Sequence, residues 1–390
     1  MTLPIVNTHV HVPPNFSAYA TPSEVISEAV AQGVAALGIS NFYDQQVYAR
    51  FAEEARAAGI VPLFGLEFIT LDPALAEAGV KVNDPANPGR LYFCGKGINP
   101  FKTKSDAAAA TASAIRQGND DRASAMVDQL TAHFTAQDVP TDLDAPTIAA
   151  AVAERGDVPV EWVSLQERHV ARAYADVVAD LPADQQADAL ARVYGGPAAA
   201  DPADAVATQG EIRSRLIKAG TPGFVPEVPL DFADAHAYIL AMDGIPTFPI
   251  LADGAPELSP FEWTPATLAA ELKARNVHAA ELIPIRNKTE IVEEYVEALT
   301  AAGLIVMAGT EHNTLDRIPL DPFCVDGPLP QRAREAFYEA ACIVAAHQQL
   351  VAEGKPGYVD AAGDRVGDRA ELAALGARII EGTATTGGTK

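Results

Sequence analysis

Two histidines one residue apart, His9 and His11, follow the short apolar run at residues 3–6. If that run is a β-strand, side chains alternate with period two and both imidazoles project to one side. Two ligands carried on one rigid element lose little conformational entropy when they grip a metal. Eight histidines in 390 residues yield such a pair by chance about 0.16 times, so the motif needs partners before it carries weight. Glu67 comes just after a third apolar run, at residues 60–64, and Glu311 and His312 just after the last one, at residues 304–308. Two histidines and one or two carboxylates form a donor set suited to one divalent zinc, manganese or iron ion.

The elements that must position these residues alternate. The apolar run 3–6 is followed by Thr21-Pro22-Ser23-Glu24, which reads as a capped helix start with proline in the first turn. A strand at 34–40, a helix at 44–58 and a strand at 60–64 follow. This is the parallel βαβ pattern, which carries its chemistry at the C-terminal ends of strands. His9, His11, Ser40, Asn41 and Glu67 all fall at such ends. Between residues 103 and 226 the alternation gives way to helical patterning at 121–136, 145–155, 166–179 and 183–194, which predicts a helical insertion or lid. Strands then resume at 245–251, 278–283 and 304–308, separated by helices. Six or seven strands suit a short α/β barrel. The expected organisation is a first part of the barrel (1–102), the insertion (103–226), a second part of the barrel (227–328), C-terminal helices (329–382) and a flexible tail (383–390).

The sequence resembles the polymerase and histidinol phosphatase (PHP) family of metal-dependent enzymes. Asn7-Thr8-His9-Val10-His11 followed by Thr21-Pro22-Ser23-Glu24 is similar to the family's opening motif, and Gly65-Leu66-Glu67 to its G-x-E. Glu167-Arg168-His169-Val170-Ala171 resembles its T/E-R-H-x-A helix. Lys218 to Pro226 echoes its K-x-G-x-P-G-Y/F-V-P stretch, and Gly309-Thr310-Glu311-His312-Asn313 its G-S-D-x-H. The order holds over residues 3–315. The resemblance implies a distorted (β/α)7 barrel and phosphoester hydrolysis at a metal centre.

Departures from the family are concentrated. Its T-D-H after the second strand is Ser40-Asn41-Phe42, one histidine position falls on Tyr92, another near Pro249 or Ile250, and the last motif ends in Asn313. What survives is His9, His11, Glu67 and a final acid, which the family places around one metal. That acid is Glu311, about 1.5 Å longer than aspartate, so its backbone must sit farther back to meet a tolerance of about 0.2 Å in ligand distance. A single metal held by His9, His11, Glu67 and Glu311 is the expectation. His312 and His169 are candidates to move protons. Arg286, Asn287 and Lys96 are candidates to hold an anionic substrate, with a surface ion pair as the plain alternative for Arg286.

The expected activity is hydrolysis of a small anionic metabolite, a phosphoester first. Lysis of a sugar acid, opening of a lactone, or metal and metabolite binding without catalysis are the alternatives. The formal charge of −24 and pI near 4.6 argue against nucleic acid and anionic membrane as partners. Three cysteines without a CxxC pair, no long apolar span and no signal-like start predict a cytoplasmic protein.

Overall fold

The apolar runs become the strands of one sheet: β1 (Ile5–Val10), β2 (Val34–Ile39), β3 (Val61–Leu71), β4 (Arg90–Lys96), β5 (Leu230–Asp231), β6 (Ile245–Ile250), β7 (Ala279–Leu282) and β8 (Ile305–Ala308). In the computed structural model, which describes residues 3–387, their order is β1-β2-β3-β4-β6-β7-β8, with β5 beside β3. β1, β2 and β3 are parallel neighbours, as are β6, β7 and β8, while β4 runs antiparallel to both β3 and β6. The ends of the sheet meet where Val10 bridges Glu311, His11 N donates to Glu311 O (2.7 Å) and Glu311 N donates to His9 O (2.9 Å). The result is the distorted, nearly closed seven-stranded α/β barrel expected from the sequence.

Three strands differ from the sequence reading: β4 and β5 are additional, and β3 is longer. β3 does not stop at residue 64. It continues to Leu71 because β4 pairs with its second half, from Gly65 opposite Lys96 to Leu71 opposite Arg90. Glu67 therefore lies inside β3 rather than at its end. It still reaches the barrel rim, because β2 has already ended and the following loop takes over the pairing: Glu67 N donates to Asn41 O (3.1 Å) and Tyr43 N donates to Glu67 O (3.2 Å).

The helices are α1 (Pro22–Ala31), α2 (Tyr48–Ala57), α3 (Pro73–Glu77), α4 (Asp106–Ala136), α5 (Ala145–Gly156), α6 (Glu167–Ala179), α7 (Ala183–Tyr194), α8 (Ala205–Ile212), α9 (Phe232–Ala241), α10 (Pro265–Ala274), α11 (Thr289–Ala301), α12 (Gln331–Ala352) and α13 (Arg369–Gly387). α1 starts as its sequence predicts. Thr21 Oγ1 accepts from Glu24 N (3.1 Å), and the Glu24 carboxylate reaches back to Ala20 N (2.7 Å). Helices α4 to α8 bury Leu130, Phe134, Tyr174, Leu190 and Ile212 in an apolar cluster of their own, separate from the barrel's. α4 begins 15 residues before the predicted 121, at a Ser105 cap, because Asp106 to Gly118 is alanine-rich and carries the helix without much burial.

α12 and α13 share a third cluster with Val6, Ala36, Leu63, Ile245, Ala279 and Met307, drawn from six strands. These two helices approach so closely that a Cβ on Gly376 would lie 1.8 Å from Cys342 O, which only glycine permits. α13 runs on to Gly387, so residues 383–387 are helical where the sequence suggests a tail; residues 388–390 lie outside the described residues. The three cysteines are free and buried. Among the described residues, no helix is long and apolar enough to cross a membrane.

Candidate metal centre

β1 carries His9, and His11 follows directly after its end at Val10; each ring is tethered through Nδ1. His9 Nδ1 faces Glu281 Oε2 at 2.7 Å, and His11 Nδ1 faces Asn15 Oδ1 at 2.9 Å. An imidazole nitrogen against a carboxylate or an amide oxygen carries the hydrogen, which leaves Nε2 with its lone pair. Both Nε2 atoms point at one oxygen: Glu67 Oε2 is 3.7 Å from His9 Nε2 and 3.4 Å from His11 Nε2. All three atoms are buried, and none has a hydrogen-bond partner among the described residues. Buried polar atoms are normally satisfied, so three orphans converging on one point form a donor set rather than a packing accident. These residues fit a divalent metal.

Glu281 supports the set from below and was not singled out from sequence. It is fully buried on β7. Its carboxylate accepts from Thr8 Oγ1 (2.6 Å), His9 Nδ1 (2.7 Å) and Lys96 Nζ (2.8 Å). Burial pushes such a carboxyl up, but Lys96 and His9 outweigh it and hold Glu281 at about 2. The signal was present in the sequence: a lone acid within the apolar run Ala279 to Ile283 must find buried partners. A second grouping of His9, Cys94 and Glu281 shares these atoms. It is already satisfied by Lys96 and Thr8, and burial pushes the Cys94 thiol well up, away from the thiolate a metal needs.

The other sequence candidates are placed as follows. Glu311 lies at the rim but outside the converging trio. Its carboxylate is gripped by both terminal nitrogens of Arg286 (Nη1 to Oε1 2.9 Å) and accepts from Asn313 Nδ2 (2.8 Å). Glu311 and His312 both have φ near +57°, a left-handed pair at the end of β8 that costs backbone energy and bends the chain back across β1. His312 is turned away from the trio, with Nδ1 against Thr310 Oγ1 (2.8 Å) and Nε2 against Ile318 O (2.9 Å). With both ring nitrogens engaged, it anchors the loop after β8. Lys96 is not at the mouth. It is 2% exposed, and its three donors go to Glu281, Thr8 O (3.0 Å) and Ser40 Oγ (2.9 Å). That arrangement leaves it nothing for a substrate. Asn287 is likewise buried, with Nδ2 donating to Leu251 O and Asp253 Oδ1. His169 Nδ1 accepts from Gln166 N (3.1 Å), and its ring faces a cavity whose walls do not include His9, His11 or Glu67.

Arg168 was missed because attention within Glu167-Arg168-His169 goes to the histidine. Among the described residues, its side chain makes no hydrogen bond and no ion pair within 4.0 Å. Burial and the neighbouring Arg213 lower it to about 10, against the pull of Glu311, Glu167 and Tyr92. An unpaired, partly buried guanidinium within electrostatic range of Glu311 is a stronger anion-holding candidate than Lys96.

Asn41 and Phe42 do structural work beside the site. The Asn41 amide accepts from Val12 N (2.8 Å) and donates to Val12 O (2.8 Å), pairing like a strand backbone. Phe42 stacks on His11 at 5.0 Å between ring centroids. Introducing an acid by Asn41→Asp should therefore destabilise the protein by about 1–3 kcal/mol, because Val12 O loses its donor and faces a buried charge. Urea unfolding of the two proteins checks this; an unchanged or raised midpoint would refute it.

No protein-family model matches the chain, and no curated protein matches it in sequence. Its fold is similar to that of an amidohydrolase from Chromobacterium violaceum, solved with bound sulfate and no metal. The TM-score is 0.52 at 20% identity, over 85% of this chain and 96% of that one. It is also similar to a protein from Bifidobacterium adolescentis described as a candidate metal-dependent phosphoesterase. Here the TM-score is 0.56 at 15% identity, over 87% and 97% of the two chains. At these identities the likeness is one of fold.

Proposed function

We propose that the chain is a metal-dependent hydrolase of a small anionic metabolite, with a phosphoester as the first substrate class. The observation that carries this reading is the convergence of His9 Nε2, His11 Nε2 and Glu67 Oε2, all buried and all without partners. One zinc, manganese or iron ion held there supplies Lewis acidity toward water and a substrate oxygen. Arg168 and Arg286 are the cations on the insertion side and the rim, and they select for an anion against an overall charge of −24. An anionic substrate competing for Arg286 would free the Glu311 carboxylate, which then becomes the fourth donor or the acceptor of a proton. The descriptions of the two structural neighbours, a candidate metal-dependent phosphoesterase and an amidohydrolase, fit a hydrolase, and the first of them fits the phosphoester class.

Loss of the second acid and histidine at Asn41 and Phe42 favours one ion over a cluster, and with it the second reading, lysis or lactone opening on a sugar acid. Purified protein supplied with each metal in turn and assayed on phosphoesters, lactones and sugar acids separates these readings. Phosphate release is expected. Turnover of a lactone or sugar acid without phosphate release would overturn the phosphoester assignment. Absence of tightly held metal would overturn the enzyme reading as a whole.

A further inference from the structure

A second cationic cavity lies on the flank of the molecule, between the loop after β1 and helices α5 and α6 of the insertion. Its volume is about 240 Å³. Arg155 from α5, Arg172 and His169 from α6, and Arg317 from the loop after β8 line it, together with Asn15 and Ser17. Three guanidiniums around one small cavity are unexpected in a chain with 52 acids and 28 basic residues. Their acidic partners do not cancel them: Arg155 and Arg172 share one Asp176, at 3.3 and 3.9 Å, and Arg317 pairs with Glu24.

His169 adds a neutral donor. Burial, with Arg155 and Arg172 alongside, lowers it to about 3, so it is uncharged. Because its Nδ1 accepts from Gln166 N, the ring hydrogen must sit on Nε2. Arg172 is itself lowered, by burial and by the like charge of Arg155. Partly desolvated cations held against one another are stabilised by an anion placed between them.

We infer that this cavity is a second anion site, separate from the metal centre, that takes the phosphate group of a small metabolite. It is wired to the metal centre. Asn15 lines the cavity, and its Oδ1 accepts from His11 Nδ1 (2.9 Å), Phe42 N (3.1 Å) and Gln166 Nε2 (3.1 Å), while Gln166 Oε1 accepts from Phe16 N (2.6 Å). Occupancy of the cavity thus bears on the residue that orients His11. The inference does not depend on the proposed reaction.

The test is a calorimetric titration of the full chain, stripped of metal by a chelator, with inorganic phosphate. Saturable binding of one equivalent is expected. Arg172→Gln and Arg317→Gln should each weaken it at least about tenfold, the loss of one charge-assisted contact, and His9→Ala should leave it unchanged. Arg317 is more than half exposed on a loop, so its variant folds even if Arg172→Gln does not. Failure to saturate by about 10 mM phosphate, too weak for a built site, would overturn the inference. So would binding that survives both arginine variants or disappears with His9→Ala.

Discussion

Glu67→Gln removes the metal and leaves the barrel as stable as before, or more so. The side chain is almost fully buried, and its Oε2 faces two imidazole nitrogens without a hydrogen bond. In the metal-free protein that arrangement is a cost, since a buried carboxylate oxygen with no donor is poorly solvated. The neutral amide of glutamine is nearly the same size and offers an N–H to the histidine nitrogens. Metal binding fares oppositely. One of three converging donors loses its charge, and affinity should fall by more than the roughly 10–100-fold that follows loss of a mere supporting residue. The expected outcome by metal analysis is a drop from about one ion per chain to a trace. The thermal midpoint of the metal-free variant should stay level or rise by a few degrees, about 2–4 °C per kcal/mol in larger domains. Metal content equal to that of the parent protein would defeat the assignment. A metal-free variant that unfolds more easily would show that Glu67 serves the fold rather than a ligand.

How much of this was legible in the sequence depends on what each residue's donors do. Buried parallel strands are near-continuous apolar runs, so β1, β2, β6, β7 and β8 stand out. β4 carries only the four-residue apolar run 91–94, between Arg90 and Gly95-Lys96, too short to stand out as a strand in a segment with no helix pattern beside it, and the extension of β3 that pairs with it goes unseen too. His9, His11 and Glu67 are legible as a set because the βαβ pattern brings strand ends to one rim. Sequence does not show how a side chain's donors are already spent. Lys96, Asn287 and His312 follow apolar runs in the sequence, yet Lys96 Nζ is committed to Glu281, Asn287 Nδ2 to Leu251 O and His312 Nε2 to Ile318 O. Glu281 and Arg168 are the converse. One is an acid in an apolar strand and the other a base in a motif known for its histidine, and each matters through a three-dimensional neighbour with no fixed spacing in the chain.

The Lys96–Glu281 pair separates fold from function by a second route. Lys96→Met leaves Glu281 buried with the Thr8 hydroxyl and His9 but no cation, and breaking a buried pair from one side costs about 3–5 kcal/mol. Because the Glu281 carboxyl is held at about 2 in the folded protein, below its ordinary range, its stabilising contribution is present above pH 4.5 and fades as pH falls toward 2. The gap in unfolding free energy between parent and variant should therefore be widest near neutrality and close in acid. Adding Glu281→Leu to Lys96→Met replaces the pair by apolar side chains, which is often near neutral, so most of the lost stability should return. Metal affinity should not return with it. Without Glu281, nothing fixes the hydrogen on His9 Nδ1, and loss of such a partner typically weakens binding about 10–100-fold. Urea unfolding and metal titration of parent, single and double variants read the two effects independently. If the double variant regains both, Glu281 is only a counter-ion for Lys96; if stability recovers and metal affinity does not, the carboxylate that neutralises the buried lysine is also the one that aims His9 at the metal.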